Sequence, residues 1–340
     1  MKSSTALFIT NRTDRRYFSG VDGGEGYLIV GKEKAYFTDK RYFLALKEKL
    51  ASSDIAVFPF YSDEDIKEYL NKKGIKTLYI DYSSATVEEY KRYKTFGVSL
   101  RNAKKKIDSL RSKKSAKEIS YIKKACEIIE TAFYRVLPLI KEGITENELK
   151  FFLEHECAAL GAEGTSFDTI VAFGKNSAVP HHETGNAKLE RNSPVLIDAG
   201  VFYRGYASDF TRTVYFGTPT KEFILAYDTV LKANETAEEK ITAGMSTKEA
   251  DGIARDIIEK AGYKDNFTHS LGHGVGLEIH EFPYLSQKSK AILKNGNVFT
   301  VEPGVYFDYK FGIRIEDTVV LKNGKVKRFF TDDKKLIIIK

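Results

Sequence analysis

The sequence predicts two domains in series: an α/β domain over residues 1–110, then a larger α+β domain with an antiparallel sheet over residues 111–340. Three observations predict it. A chain of 340 residues, 42% hydrophobic and 30% charged, suits two globular domains and can bury sizeable cores. Its first hundred residues alternate between strand and helix patterns. After Gly164 the texture shifts to strands and tight turns, with two helical stretches among them.

In the first domain, residues 27–30 and 34–38 read as strands paired across Gly31-Lys32-Glu33. Residues 41–50 read as a helix, 55–60 as a strand, and 63–73 as a helix that Gly74 stops. Residues 77–81 and 86–94 repeat the strand–helix step. The basic stretch 101–114, containing Lys104-Lys105-Lys106 and Lys113-Lys114, reads as the domain junction and a solvated basic face. Ser115 and Glu118 form a capping box for a long helix reaching about residue 141 and ended by Gly143. Thr145 and Glu148 open the next helix, which ends at Gly161. Residues 166–173, 195–200 and 207–216 read as strands, the last two joined by a turn at Tyr203-Arg204-Gly205. Helices are expected at 221–243 and 247–261, with strands and glycine-rich turns thereafter.

Composition excludes several function classes. The net charge of +7 invites a nucleic-acid reading, but aromatic interleaving and a nucleic-acid motif are both missing. The apolar run 6–10 is too short for a signal-peptide core or a membrane span, and no later segment approaches about 18 apolar residues. A soluble, unexported, cytoplasmic protein with no membrane or nucleic-acid partner is expected. Cys126 and Cys157 then read as reduced core thiols. Gly272, Gly274 and Gly276 give only a weak phosphate-loop signal, because no strand–helix unit flanks them and no lysine follows.

Chemistry concentrates in two hairpins. Asp198 and Asp209 lie eleven apart around the Arg204 turn, and Glu302 and Glu316 lie fourteen apart around Tyr309. If each hairpin closes at its midpoint, each pair of carboxylates sits opposite or nearly so, about 5 Å apart at Cβ. Asp198 follows Val195-Leu196-Ile197, and Glu302 follows Val298-Phe299-Thr300-Val301. Acids in such apolar strands are costly unless paired, hydrogen-bonded or bound to metal. One acid of this kind is more often an ion-pair partner. Two hairpins with the same arrangement point to divalent cations, two of them about 3.5–4 Å apart. Of the six histidines only His155 lies elsewhere; His181, His182, His269, His273 and His280 fall in the same region.

These segments carry a family resemblance. Ile197-Asp198-Ala199-Gly200, Ser208-Asp209-Phe210-Thr211-Arg212-Thr213, the run 269–281, Val301-Glu302-Pro303-Gly304 and Gly312-Ile313-Arg314-Ile315-Glu316-Asp317 resemble the pita-bread metallopeptidases, in their Xaa-Pro aminopeptidase and prolidase branch. Residues 166–181, 14–20 and 38–42 are similar too, so the resemblance spans nearly the whole chain. It implies a creatinase-like N-terminal domain and a pita-bread catalytic domain. It also implies that Asp198, Asp209, His273, Glu302 and Glu316 hold two divalent metal ions per subunit, with Glu302 as general base. His181, His269 and His280 would hold substrate, His181 and His280 would stabilise the transition state, and Arg314 would lie near the substrate carboxylate. The oxygen-rich donor set favours manganese, with cobalt or zinc also able to bind.

The expected reaction is hydrolysis of the bond between an N-terminal residue and a following proline, in dipeptides or short peptides, by a homodimer. A slot for the proline ring is expected beside His181 and His269, with Phe173 or Phe282 as walls. Three positions depart from the family pattern. Phe210 stands where methionine is common, His182 where glycine is common, and the chain has no tryptophan. A methionine aminopeptidase of the same fold would share the ligands but usually lacks the first domain. A creatine-cleaving enzyme, or a non-catalytic binding protein of this fold, would lack part of the ligand set.

Overall fold

The computed structural model describes residues 4–340; residues 1–3, the start of the first sequence-defined domain, lie outside the described residues. The chain divides into two compact units, Met1–Arg111 and Ser112–Lys340.

The first unit is built on a six-stranded sheet. Its order is Ile55–Pro59, Lys34–Thr38, Tyr27–Val30, Thr5–Ile9, Thr77–Ile80, Ser99–Asn102. Thr5–Ile9 pairs antiparallel with Tyr27–Val30 and parallel with Thr77–Ile80, so the sheet is mixed. The run Ala6 to Ile9 is unbroken in apolarity because both faces of this strand are covered. Ala6 and Phe8 join one core with Ile29, Leu78 and Tyr93, while Leu7 and Ile9 join another with Leu28, Tyr36 and Ile107. The basic stretch is more ordered than a junction. It contributes the edge strand Ser99–Asn102 and the helix Lys104–Ser112. Its last lysine is not solvated: Lys114, in the second unit, is 5% exposed and donates to Glu281 Oε1 at 2.7 Å.

In the second unit the Ser115–Glu118 box opens the helix Ala116–Val136. That helix stops short of residue 141. Pro138 has no N–H to continue the ladder, and Leu137–Leu139 tightens into a 3-10 turn. The Thr145–Glu148 box opens Glu146–Ala159 as expected. The expected strand 166–173 is split. Gly164–Thr165 pairs with Val201–Tyr203, residues 166–169 bend away, and Ile170–Phe173 joins the main sheet.

The main sheet runs Glu281–Leu285, Gly272–Gly274, Val298–Val301, Glu316–Lys322, Phe210–Phe216, Ser193–Ala199, Ile170–Phe173. These neighbours are all antiparallel. The helices Ala116–Val136 and Glu146–Ala159 pack a core with Val171, Val195 and Ile197. Lys221–Lys240 and Thr247–Lys260 pack a second core with Phe299, Val301 and Ile315. Beside it, Asn234 donates to the carbonyls of Val301 (2.8 Å) and Ile315 (3.2 Å), fixing the residues just before Glu302 and Glu316.

A buried charge network braces the same strands. Arg212 donates to Asp317 Oδ1 at 2.7 Å and to both carboxylate oxygens of Asp332. Lys334 donates to Asp317 Oδ2 at 3.0 Å and to Glu238 Oε2 at 2.8 Å. Burial disfavours an ionised Asp317, but the cations of Arg212, Lys334 and Arg328 outweigh it and hold its carboxyl well below the usual range.

Candidate metal centre

Strand register builds the site. Asp198 pairs with Thr211, and Thr211 pairs with Glu316. The register shared by Val301↔Asp317 and Gly304↔Arg314 sets Glu302 opposite Glu316, turning at Tyr309, whose φ is 60°. Asp198, Thr211, Glu316 and Glu302 thus form one row across the sheet. The first hairpin turns at Arg204-Gly205, with φ of 50° and 72°, so Asp209 falls two residues off the row, diagonal to Asp198. Two residues is one full strand period, which keeps both on one face.

Three of the four carboxylates are buried, Asp198, Asp209 and Glu316 at 8%, 4% and 2% exposed, and the Glu302 side chain is 16% exposed. Its remaining bonds hold the carboxylates in place. Thr211 Oγ1 donates to Glu316 Oε2 at 2.6 Å and accepts from Arg314 Nε at 3.1 Å. Arg314 Nη2 pairs with Asp198 Oδ2. Asp198 Oδ1 and Glu316 Oε1 are buried with no hydrogen-bond partner. Burial, and then repulsion from neighbouring carboxylates, pushes Asp209 and Glu316 well above the usual carboxylate range. Burial pushes Glu302 up to about 8.

His273 adds a nitrogen donor. Gly272 lets its strand lie against the neighbouring one, since a Cβ there would overlap Thr300. His273 N then donates to Thr300 Oγ1, which donates to Glu302 Oε1, each at 3.0 Å. The ring Nδ1 faces the Gly274 carbonyl at 3.2 Å. A carbonyl only accepts, so the proton lies on Nδ1 and Nε2 carries a lone pair. Burial and the neighbouring His280 hold the ring pKa down at about 3, so it is neutral near pH 7. That lone pair faces Glu302 Oε1 at 3.3 Å and Asp209 Oδ2 at 3.5 Å. With these carboxyls ionised, acceptors would face acceptors beside two orphaned carboxylate oxygens, a conflict that a bound cation resolves. Donor atoms of Asp209, His273 and Glu316 all lie within 4.8 Å of one another. The residues fit divalent metal.

The structure brings the five expected ligands, with His181, His269, His280 and Arg314, to one cavity of about 470 Å3. His280 lies with its ring centroid 4.2 Å from that of His273. His269 is more constrained than expected. Its Nδ1 donates to Ser270 O and its Nε2 accepts from Tyr306 OH, both at 2.9 Å. Tyr306 in turn accepts from Arg314 Nη1 at 2.7 Å. Arg314 is only 3% exposed and also reaches Thr211, Asp198 and Pro180 O, so most of its donors serve the protein. The expected proline-slot walls are corrected: neither Phe173 nor Phe282 lines the cavity, whereas Phe167 and Tyr284 do. Phe173 is 4% exposed and belongs to the core. His182 turns away from the cavity toward Glu146. Tyr306 and Thr211 escaped the sequence reading. Thr211 could have been found by strand period, two residues beyond Asp209.

A sheet that presents clustered acids and a neutral imidazole to one cavity defines a metal-dependent hydrolytic site. The comparisons name the family. Residues 120–323 match the model of Metallopeptidase family M24, and residues 2–113 match the Creatinase/Prolidase N-terminal domain. The chain belongs to metallopeptidase family M24, and its fold is the pita-bread catalytic domain preceded by a creatinase-type domain. It is 40% identical to the Xaa-Pro dipeptidase of Pyrococcus furiosus, over 97% of this chain and 94% of that protein. Among solved structures it resembles an Xaa-Pro dipeptidase from Bacillus anthracis, with TM-score 0.94 and 33% identity, over 98% of this chain and 95% of that one. It also resembles the X-Pro aminopeptidase from Thermotoga maritima, with TM-score 0.91 and 35% identity, over 98% and 97%. No helix among the described residues is long and apolar enough to cross a membrane.

Proposed function

We propose that this chain is a cytoplasmic, homodimeric exopeptidase that hydrolyses the bond between an N-terminal residue and a following proline, in dipeptides or short peptides. The observation that carries the reading is the His273 Nε2 lone pair facing buried carboxylates on the wall of a peptide-sized cavity. The names of the Pyrococcus and Bacillus relatives, each matched over more than nine tenths of both chains, support the proline specificity. We place the functional division at residues 1–110 and 111–340.

Asp198, Asp209, His273, Glu302 and Glu316 would hold two cations, manganese first, with cobalt or zinc able to replace it. When bound, such ions supply Lewis acidity and lower the pKa of a coordinated water. Glu302 accepts the water proton at a carboxylate oxygen and returns it to the departing proline nitrogen. His181 and His280, both exposed at the cavity, orient the scissile carbonyl and donate to its oxygen as negative charge develops. His269, with both ring nitrogens engaged, shapes the slot for the proline ring together with Phe167 and Tyr284. Arg314 acts mainly by fixing Asp198 and Tyr306.

The test is an assay of the manganese-loaded chain on Ala-Pro beside Ala-Pro-Ala. Cleavage of at least one after alanine is expected, and their ratio sets dipeptide against longer-peptide preference. Inertness toward both, with metal bound, overturns the reading.

A further inference from the structure

We propose that His182 and Glu146 form an anchor that positions His181 over the cavity; this rests on the reading of His181 as a substrate-binding group. Glu146 is the first residue of its helix and is 0% exposed. Its carboxylate is saturated by four donors. Oε1 accepts from Phe173 N and Asn176 Nδ2, both at 2.9 Å. Oε2 accepts from His182 Nε2 at 2.9 Å and Gly185 N at 3.0 Å. One buried side chain therefore ties the end of the Ile170–Phe173 strand to both sides of the loop 179–185.

His181 sits at the bend of that loop and is itself exposed. The backbone N–H of His182 donates to Val179 O at 3.1 Å, closing a turn around Pro180 and His181. The loop is also held where Thr184 Oγ1 bonds Thr169 O and Val171 N, and where Arg314 reaches Pro180 O at 3.4 Å. An exposed imidazole has little packing of its own to fix its direction, so its neighbours set it. With glycine at position 182 the backbone bond would survive, but the tie to Glu146 would be lost. His182 thus acts on substrate through His181, by placement. Misplacing a substrate-orienting group by about 1 Å can cost up to about a hundredfold in rate.

The test uses the full manganese-loaded chain and four variants: His182→Ala, His182→Gln, His181→Ala and the double variant with alanine at both positions. His182→Ala is expected to lower kcat/KM on Ala-Pro about tenfold with bound manganese unchanged. His182→Gln keeps an N–H within reach of Glu146 and should recover to within about threefold. In the His181→Ala background, adding His182→Ala should change kcat/KM by less than about twofold, because its effect runs through the missing ring. Hydrogen–deuterium exchange of the segment 174–186 supplies a readout free of catalysis. It should quicken in His182→Ala and stay at the parental rate in His181→Ala. Parental activity in His182→Ala, a loss repeated in full without His181, or unchanged exchange each overturns the anchor. If the parent chain cleaves neither Ala-Pro nor Ala-Pro-Ala, the proposed function falls alone, and the exchange comparison still decides the anchor.

Discussion

Removing the cations should make this protein lose stability as pH rises from 7 to 9. Glu302, raised by burial to about 8, still holds most of its proton at pH 7 when folded. An unfolded glutamate, near 4.3, has none to give up there. The folded form therefore binds more protons in this window, and linkage makes stability fall as pH climbs. Integrated, Glu302 contributes about 4 kcal/mol at pH 5, about 1–2 kcal/mol at pH 7 and almost nothing at pH 9. With 16% of its side chain exposed, a discounted loss of about 1 kcal/mol between pH 7 and 9 remains. That lowers Tm by about 2–4 °C in a unit of this size. Asp209 and Glu316 are raised for the same reason and add in the same direction, as does Glu238, pushed to about 9 by burial beside Asp317. His269 and His273, held down at about 4 and about 3, titrate below the window. The assay is a melting curve at pH 7, 8 and 9 after dialysis against chelator, with and without added manganese. Manganese needs the ionised carboxylates, so its stabilisation should grow with pH while the metal-free Tm falls. Glu302→Gln should flatten part of the metal-free slope. A metal-free Tm that stays level or rises from pH 7 to 9 refutes the buried-carboxylate account.

Three further outcomes are expected. Asp209→Asn should nearly abolish turnover and reduce bound manganese while leaving circular dichroism unchanged; normal turnover in that variant would sink the two-cation site. His280→Ala should cost about 2–4 kcal/mol in kcat while metal content, read by mass spectrometry, holds. Its loss in step with the metal would make His280 a ligand. Ala-Pro should be cleaved at least about tenfold better than Ala-Ala in kcat/KM, since alanine loses the ring contacts and brings an unpartnered amide hydrogen. Equal values would remove proline selectivity and leave the peptidase.

The second hairpin was legible in the sequence to the residue, because its turn is symmetric about Tyr309 and its register continues unbroken on both sides. The first was displaced by two residues because the positive-φ pair is Arg204-Gly205, so the centre lies later than equal spacing suggests. Capping boxes marked helix starts faithfully at Ser115 and Thr145, being local chemistry. The end of the first of these helices was misjudged at Pro138, where the break was written in the sequence and overlooked. What stayed hidden depends on distant pairing. Tyr306 meets His269 across 37 residues, Glu146 meets His182 across 36, and Lys114 meets Glu281 across 167. No periodicity reports such contacts. The same limit explains the mistaken slot walls, since period alone does not say which face of Phe173 is core.

The brace around Arg212 has a consequence for shortened forms of this chain. Asp332 and Lys334 reach back to Arg212, Asp317 and Glu238. Without them, Arg212 and Asp317, neighbours of Thr211 and Glu316, are buried with part of their countercharge missing, an arrangement that costs about 3–5 kcal/mol. A chain that keeps every cation ligand but lacks the segment 331–334 is therefore expected to be a poor enzyme. A chain cut back to Phe330 is expected to hold manganese weakly in equilibrium dialysis.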